Sequence, residues 1–365
     1  MTLSCLNSSA WDSKFGIPVV CPVRNETRFL PPFLRHYRRM GVTKFVFIDN
    51  NSNDGTTDYL LAQPDCLVFH TSDSYRESNF ATLWINEVIS KLDVRGWMIS
   101  VDVDEHLVYP NIEDINILEY CEGLAQAGFD CVNAAMIDMY PSGSFLDLSF
   151  GPEEELSDVM GWFDTDYLFR EWPSRPWDKR DFFLLQVLGG PRCRLLSSLE
   201  IEQRHGGLFQ TICSQLDRIV NWVPLSFIPL LAAIAPRQMP AQQKQPINLV
   251  KPGFRYVHSH RATNVSAGPD MTALLHYKFC GELKRRFEMK SEGNHFRRGL
   301  EYLQLENAVA AWTKPSLRYD GSRQFRSSAD LAAVGLIGHS AGVIWNDPGI
   351  KAIRTSAGGP CAVKR

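Results

Sequence analysis

The run Ser100-Val101-Asp102-Val103-Asp104-Glu105-His106 closes an apolar stretch that begins at Trp97. Asp102 and Asp104 are two residues apart, so on an extended chain both carboxylates point to one side. Two hard oxygen donors held that way suit Mn²⁺ or Mg²⁺, ions that take one or two protein carboxylates and complete their shell with substrate phosphates. The same pair could equally cap a strand end and solvate a turn. Nearer the N-terminus, the apolar run Pro18 to Val23 meets Arg24-Asn25-Glu26, and a second run, Lys44 to Ile48, delivers Asp49-Asn50-Asn51-Ser52-Asn53-Asp54-Gly55-Thr56. That loop is dense in oxygen-bearing side chains at a strand's carboxyl end, where open α/β sheets bind ligands.

The elements that must hold these residues are legible from spacing. Phe29, Leu30, Phe33, Leu34, Tyr37 and Met40 fall on one helical face, with Pro31 and Pro32 tolerated in the first turn and Gly41 placed to end the helix. Thr57 to Gln63 reads as a short helix, Cys66 to His70 as a strand, Asn79 to Val94 as a helix, Ile115 to Ala127 as another, and Cys131 to Ile137 as a further strand. Such alternation predicts an α/β chain, a Rossmann-like, mostly parallel sheet flanked by helices. From about Tyr140 to Asp181 the pattern dissolves into Pro, Gly, Trp and acidic residues, as in a functional loop. Met271 to Met289 and Leu300 to Trp312 read as closing helices of a C-terminal helical extension. The division expected is an N-terminal segment 1–16, a ligand-binding half 17–138, a second half 139–326 and a loosely attached tail 327–365.

The strand ending in Arg24-Asn25-Glu26, the strand ending in Ile48-Asp49 with its loop, and Val101-Asp102-Val103-Asp104-Glu105 together resemble the nucleotide-sugar half of a family 2-like glycosyltransferase with the GT-A fold. A fainter similarity continues through Leu188-Gly189-Gly190-Pro191-Arg192-Cys193-Arg194 and Leu274-Leu275-His276-Tyr277-Lys278, so it covers most of residues 17 to 290. The resemblance implies a nucleotide-sugar donor, UDP-linked by family habit, and a glycan or lipid-linked acceptor, with inversion. By it, Asn25, Glu26 and Asp49 would contact the nucleoside, with Arg24, Asn51 and Asp54 beside them, while Asp102 and Asp104 would face the ribose and the metal. A late histidine would complete the metal's coordination, His260 first, with His258, His276 and Lys278 competing. The general base would be a carboxylate after the metal strand: Asp138, then Asp164, then Glu171 and Asp178. Arg192 and Arg194, after two glycines, could reach phosphate or an acceptor carboxylate, or form structural ion pairs. Two other readings compete: a catalytically silent sugar-nucleotide or glycan-binding protein, and a nucleotidyltransferase. The latter would carry a glycine-rich basic loop after the first strand, and Pro22 to Glu26 contains no glycine.

With 365 residues, 44% of them hydrophobic, the chain has ample material for a core, and its formal charge of −3 argues against a nucleic-acid binder. The densest basic runs, Arg35 to Arg39 and Lys284-Arg285-Arg286, read as solvated helix faces. Nine cysteines form no C-x-x-C pair, which favours a reducing compartment, and Met1 to Gly16 carry no secretory pattern, so a cytoplasmic location is expected. Ile219 to Ala235 is largely apolar but broken by Asn221, Pro224 and Pro229. It is short for a span and could instead make peripheral membrane contact, cover an acceptor, or pack in the core.

Overall fold

The computed structural model describes residues 2–7, 16–171, 185–196, 242–289, 300–312, 314 and 316–339. The first half alternates β1 (Ser4–Cys5), β2 (Val19–Val23), α1 (Leu30–Arg39), β3 (Phe45–Asp49), α2 (Thr56–Leu61), β4 (Cys66–His70), α3 (Thr82–Lys91) and β5 (Gly96–Ser100). A short β6 (Glu105–Val108), α4 (Ile117–Gln126) and β7 (Cys131–Asp138) follow. Beyond them lie α5 (Leu156–Val159), β8 (Trp162–Asp164), β9 (Tyr167–Glu171), β10 (Leu185–Gly189) and α6 (Gly190–Leu196). The remainder comprises β11 (Gln243–Lys244), β12 (Ile247–Val250), β13 (Arg255–His258), β14 (Arg261–Thr263), β15 (Ala267–His276), α7 (Glu282–Met289), α8 (Leu300–Ala310) and β16 (Ser322–Gln324), then a helix at Ser328–Ala333 and β17 (Gly338–His339).

One large sheet runs in the order β1-β4-β3-β2-β5-β12-β7-β15-β17, with β11 on β7 and β6 on β15. β4, β3, β2 and β5 are parallel, as are β7 and β15, while β12 runs antiparallel to both β5 and β7 and joins the two groups. The sheet is therefore α/β and mixed. Alternation along β2 sends Val19, Cys21 and Val23 into a core with Phe33 and Tyr37 of α1, and Val20 into a second core with Trp84, Ile85 and Val88 of α3. Both faces are covered, the usual condition for parallel strands.

The chain lays β2, β3 and β4 outward in one direction, then returns to the opposite flank of β2 with β5. Loops leaving β2 and β5 diverge at such a reversal and leave a crevice at the carboxyl ends.

Several expectations need correction. Met271 to His276 is strand, not helix: β15 pairs in parallel with β7 and antiparallel with β6, and Ala273, Leu274 and Leu275 are buried without alternation. Helix begins only at Glu282. The supposed irregular stretch after Tyr140 holds α5, β8 and β9. Residues 327–339 are tied in, by hydrogen bonds from the Ser328 N–H and hydroxyl to Glu113 at 2.7 and 2.5 Å and by pairing of β17 with β15. β12 and β15 of the expected second half, and β17 of the expected tail, join the same sheet as the strands of the first half. Ile219 to Ala235 and Asp178 lie outside the described residues, as does the side chain of Glu171. Among the described residues no helix is long and apolar enough to cross a membrane, and the cysteines there are free and, except Cys5, buried.

Candidate functional site

The turn between β5 and β6 carries the paired carboxylates. Glu105 folds back so that its Oε2 accepts the backbone N–H of Asp102 at 2.9 Å, and the Glu105 N–H donates to the Asp102 carbonyl at 3.1 Å. Tyr37 of α1 secures the following strand: its hydroxyl donates to the Glu105 carbonyl at 2.9 Å and accepts the Leu107 N–H at 3.2 Å. This turn leaves the Asp102 side chain 48% exposed, while Asp104 is buried.

Each carboxylate has a cation. Lys244 Nζ from β11 lies 2.7 Å from Glu105 Oε2 and 3.2 Å from Asp102 Oδ2, with its side chain only 2% exposed. Burial opposes its charge, but the flanking Asp102 and Glu105 raise its pKa and keep the ammonium protonated. Asp104 Oδ2 accepts from Arg286 Nη1 of α7 at 2.8 Å and lies 3.5 Å from His276 Nε2. Burial resists its ionisation, yet Arg286 and His276 hold the carboxyl well below the usual range.

Strand register explains the histidine. On β15, His276 stands opposite Glu105 of β6 and opposite Asp138 of β7. Its Nδ1 is 2.7 Å from Asp138 Oδ1, so the ring links the two carboxylates, Asp104 and Asp138. Burial lowers its pKa, and the two carboxylates outweigh that and raise it.

The neighbouring strand ends add acceptors. Asp49, at the tip of β3, uses Oδ2 for His70 Nδ1 at 3.2 Å and for the Ser52 N–H at 3.3 Å, whereas its buried Oδ1 has no hydrogen-bond partner among the described residues. Glu26 Oε2 is likewise buried without a hydrogen-bond partner among the described residues, with Arg286 3.5 Å from Oε1 and Arg285 4.0 Å from Oε2. Burial pushes the Glu26 carboxyl up to about 7 against the pull of Arg286. Buried polar atoms are ordinarily satisfied, and among the described residues these two oxygens on adjacent loops are not.

The other expected residues divide into loop-builders and structural pairs. Asn25 adopts φ 59° and Asn51 φ 57°, left-handed turns that asparagine tolerates. Asn25 Oδ1 accepts the Asn53 N–H at 2.8 Å, and Asp54 accepts from Thr27, so the loops after β2 and β3 brace each other. Arg24 is half-buried. Arg192 meets Asp138 at 2.6 Å and Arg194 meets Asp164 at 2.8 Å, so both form ion pairs with buried carboxylates.

That pairing also bears on the two expected bases. Asp138 is fully buried, with Oδ1 on His276 and Oδ2 on Arg192 and Gln242. Burial resists its ionisation, but Arg192 and His276 lower its pKa. Both oxygens of Asp164 are engaged by Arg194, one also by Tyr140, although burial raises its pKa. A base must reach the proton it removes, and neither carboxylate presents an unengaged oxygen. His260 sits in the β13–β14 turn with Nδ1 3.0 Å from the Gln243 carbonyl; burial and Lys244 hold it neutral. The histidine at Asp104 is His276, which register selects. Among the described residues no group of three or more His, Cys, Asp or Glu side chains is assembled for a metal.

No protein-family model matches this chain, and no curated protein matches it.

Sequence reasoning passed over Lys244, Arg286 and Tyr75. Lys244 follows a segment with no pattern, and Arg286 sits in a basic run that reads as solvated. Tyr75 lies on the loop after β4, where Asn79, Phe80 and Ala81 all have positive φ, and burial, then the charge of Asp102, pushes the pKa of its hydroxyl up.

Proposed function

We propose that the chain is a GT-A type glycosyltransferase. In this reading it moves a sugar from a nucleotide-sugar donor, UDP-linked in the first instance, to a hydroxyl of a glycan or lipid-linked acceptor with inversion. One observation carries the reading: the strand-order reversal brings Asn25-Glu26, Asp49 and Asp102 to adjacent carboxyl ends, where Asp49 Oδ1 and Glu26 Oε2 are buried oxygens that meet no donor among the described residues. A nucleobase and ribose supply N–H and O–H donors of the required kind. A site built to hydrogen-bond its ligand rejects analogues that leave its polar groups unmet.

The donor set at the turn suits Mn²⁺ or Mg²⁺ by its chemistry, two carboxylates of which Asp102 is half-exposed, with diphosphate oxygens completing the shell. Asp102 and Asp104 would hold the ion, which when bound supplies Lewis-acid stabilisation of phosphate charge. Lys244 fixes Asp102 and Glu105, while Arg286 and His276 fix Asp104. Asp138, Arg192 and Gln242 in turn orient His276 from behind.

A silent donor-binding protein is favoured by one observation, that both oxygens of Asp138 and of Asp164 are already engaged. Calorimetry with UDP, GDP and dTDP, with and without Mn²⁺, tests the shared premise, and Asp104→Asn should weaken metal-dependent binding tenfold or more. Nucleotide release from UDP-sugars in the presence of acceptor glycans separates the two readings. Absence of nucleotide binding would remove both.

A further inference from the structure

The run Lys284-Arg285-Arg286 reads as a solvated helix face, yet α7 turns Arg286 inward, its side chain 16% exposed and its guanidinium 5.9 Å from the Phe29 ring centroid. That guanidinium spans the crevice, with Nη1 2.8 Å from Asp104 Oδ2 beyond β5 and Nη2 3.5 Å from Glu26 Oε1 beyond β2. Its neighbour Arg285 donates to the Asn25 carbonyl at 2.7 Å. α7 thus fastens both lips of the strand-order reversal with positive charge.

We infer that Arg286 is the residue that grips the diphosphate of the donor, turning from Glu26 and Asp104 to the phosphate oxygens. This rests on the nucleotide-sugar reading above and names the group that recognises the phosphates.

Three features of the site support it. The contact to Glu26 is long for a charge-assisted hydrogen bond, which normally closes to about 2.7–2.9 Å, so the guanidinium bridges two anions without serving both fully. Asp104 does not depend on Arg286 alone, because His276 lies 3.5 Å away and the charge of Lys278 also acts on it. The other cations with carboxylate partners in this part of the molecule are fixed elsewhere, Arg285 on Glu282 and the Asn25 carbonyl, Lys244 between Asp102 and Glu105, Arg192 on Asp138 and Arg194 on Asp164. A planar guanidinium fork suits paired phosphate oxygens better than an ammonium does.

The test compares each nucleoside with its diphosphate, so that damage common to the whole site cancels. Calorimetry on the full chain with uridine, guanosine and thymidine and with UDP, GDP and dTDP, with and without Mn²⁺, is run on the wild type, Arg286→Gln and Arg286→Lys. The expected result is a diphosphate affinity at least tenfold weaker in Arg286→Gln with nucleoside affinity within twofold of wild type, and a smaller selective loss in Arg286→Lys. Equal losses for nucleoside and diphosphate, or no loss, overturn the inference and leave the donor reading standing. Should circular dichroism show Arg286→Gln unfolded, the selective loss in Arg286→Lys decides on the same criterion. A wild type that binds none of the six compounds overturns both.

Discussion

Glu26 couples the crevice to pH. Its carboxyl is raised from an ordinary value of 4.5 to about 7, chiefly by burial. A folded pKa above the unfolded one means that the native state holds the proton more tightly, so this group's contribution to stability is fully present below about pH 4.5 and is lost as pH rises through 7. Glu26→Gln should remove that slope, flattening urea-denaturation stability between pH 5 and 7.5 by on the order of 2–3 kcal/mol. An unaltered profile would place the titrating group elsewhere. Lys244 makes the opposite demand, since it is charged and enclosed by Glu105 and Asp102. Lys244→Met leaves Glu105 buried and unpaired and should cost about 3–5 kcal/mol. Adding Glu105→Gln, which keeps an acceptor for the Asp102 N–H, should recover most of it, and a double variant as unstable as the single would show that the pair is not the cause. At this scale the sequence shows residue types but not pairings. Asp102 and Asp104 declare themselves by adjacency, whereas Lys244 lies 142 residues from Asp102 and Arg286 lies 182 residues from Asp104.

Elements place these side chains through turns whose backbone the sequence only partly announces. Gly189 ends β10 with φ +155°, and a Cβ there would stand 2.6 Å from the Asp166 carbonyl oxygen and 2.8 Å from the Tyr167 Cα. The helix that follows delivers Arg192 to Asp138 and Arg194 to Asp164. Gly189→Ala should therefore cost about 1–3 kcal/mol in thermal or chemical unfolding. At Gly123, inside α4, an added Cβ would meet nothing within 4 Å among the described residues, so Gly123→Ala should instead stabilise by about 0.5–1 kcal/mol. Equal effects at the two positions would refute the packing argument. The helices α1 and α4 are legible in the sequence because one buried face recurs with helical period. β15 is not, because Met271 to Leu275 is apolar without alternation, and a run buried on both faces looks alike as strand or helix.

The whole molecule is organised by β12 and β15, which arrive late in the chain: β12 sits between β5 and β7, and β15 pairs with both β7 and β6. A fragment of residues 17–138 would lose the partner of β5 at β12, the partners of β6 and β7 at β15, and core residues Met271, Ala273, Leu274 and Leu275. It should fail to form a soluble folded monomer, as circular dichroism and size-exclusion chromatography would show; a folded fragment would mean that the N-terminal strands need no help. Sequence alone determined the alternating elements and the strand tips at Asn25-Glu26, Asp49 and Asp102 to Asp104, because periodicity and turn chemistry act between near neighbours. Only the tertiary structure decided that His276 joins Asp104 to Asp138, that Arg192 and Arg194 go to buried carboxylates, and that Arg286 bridges the crevice. Those pairings follow from register between strands distant in sequence and from the desolvation that makes each buried charge require a partner, and neither leaves a mark on the local pattern of residues.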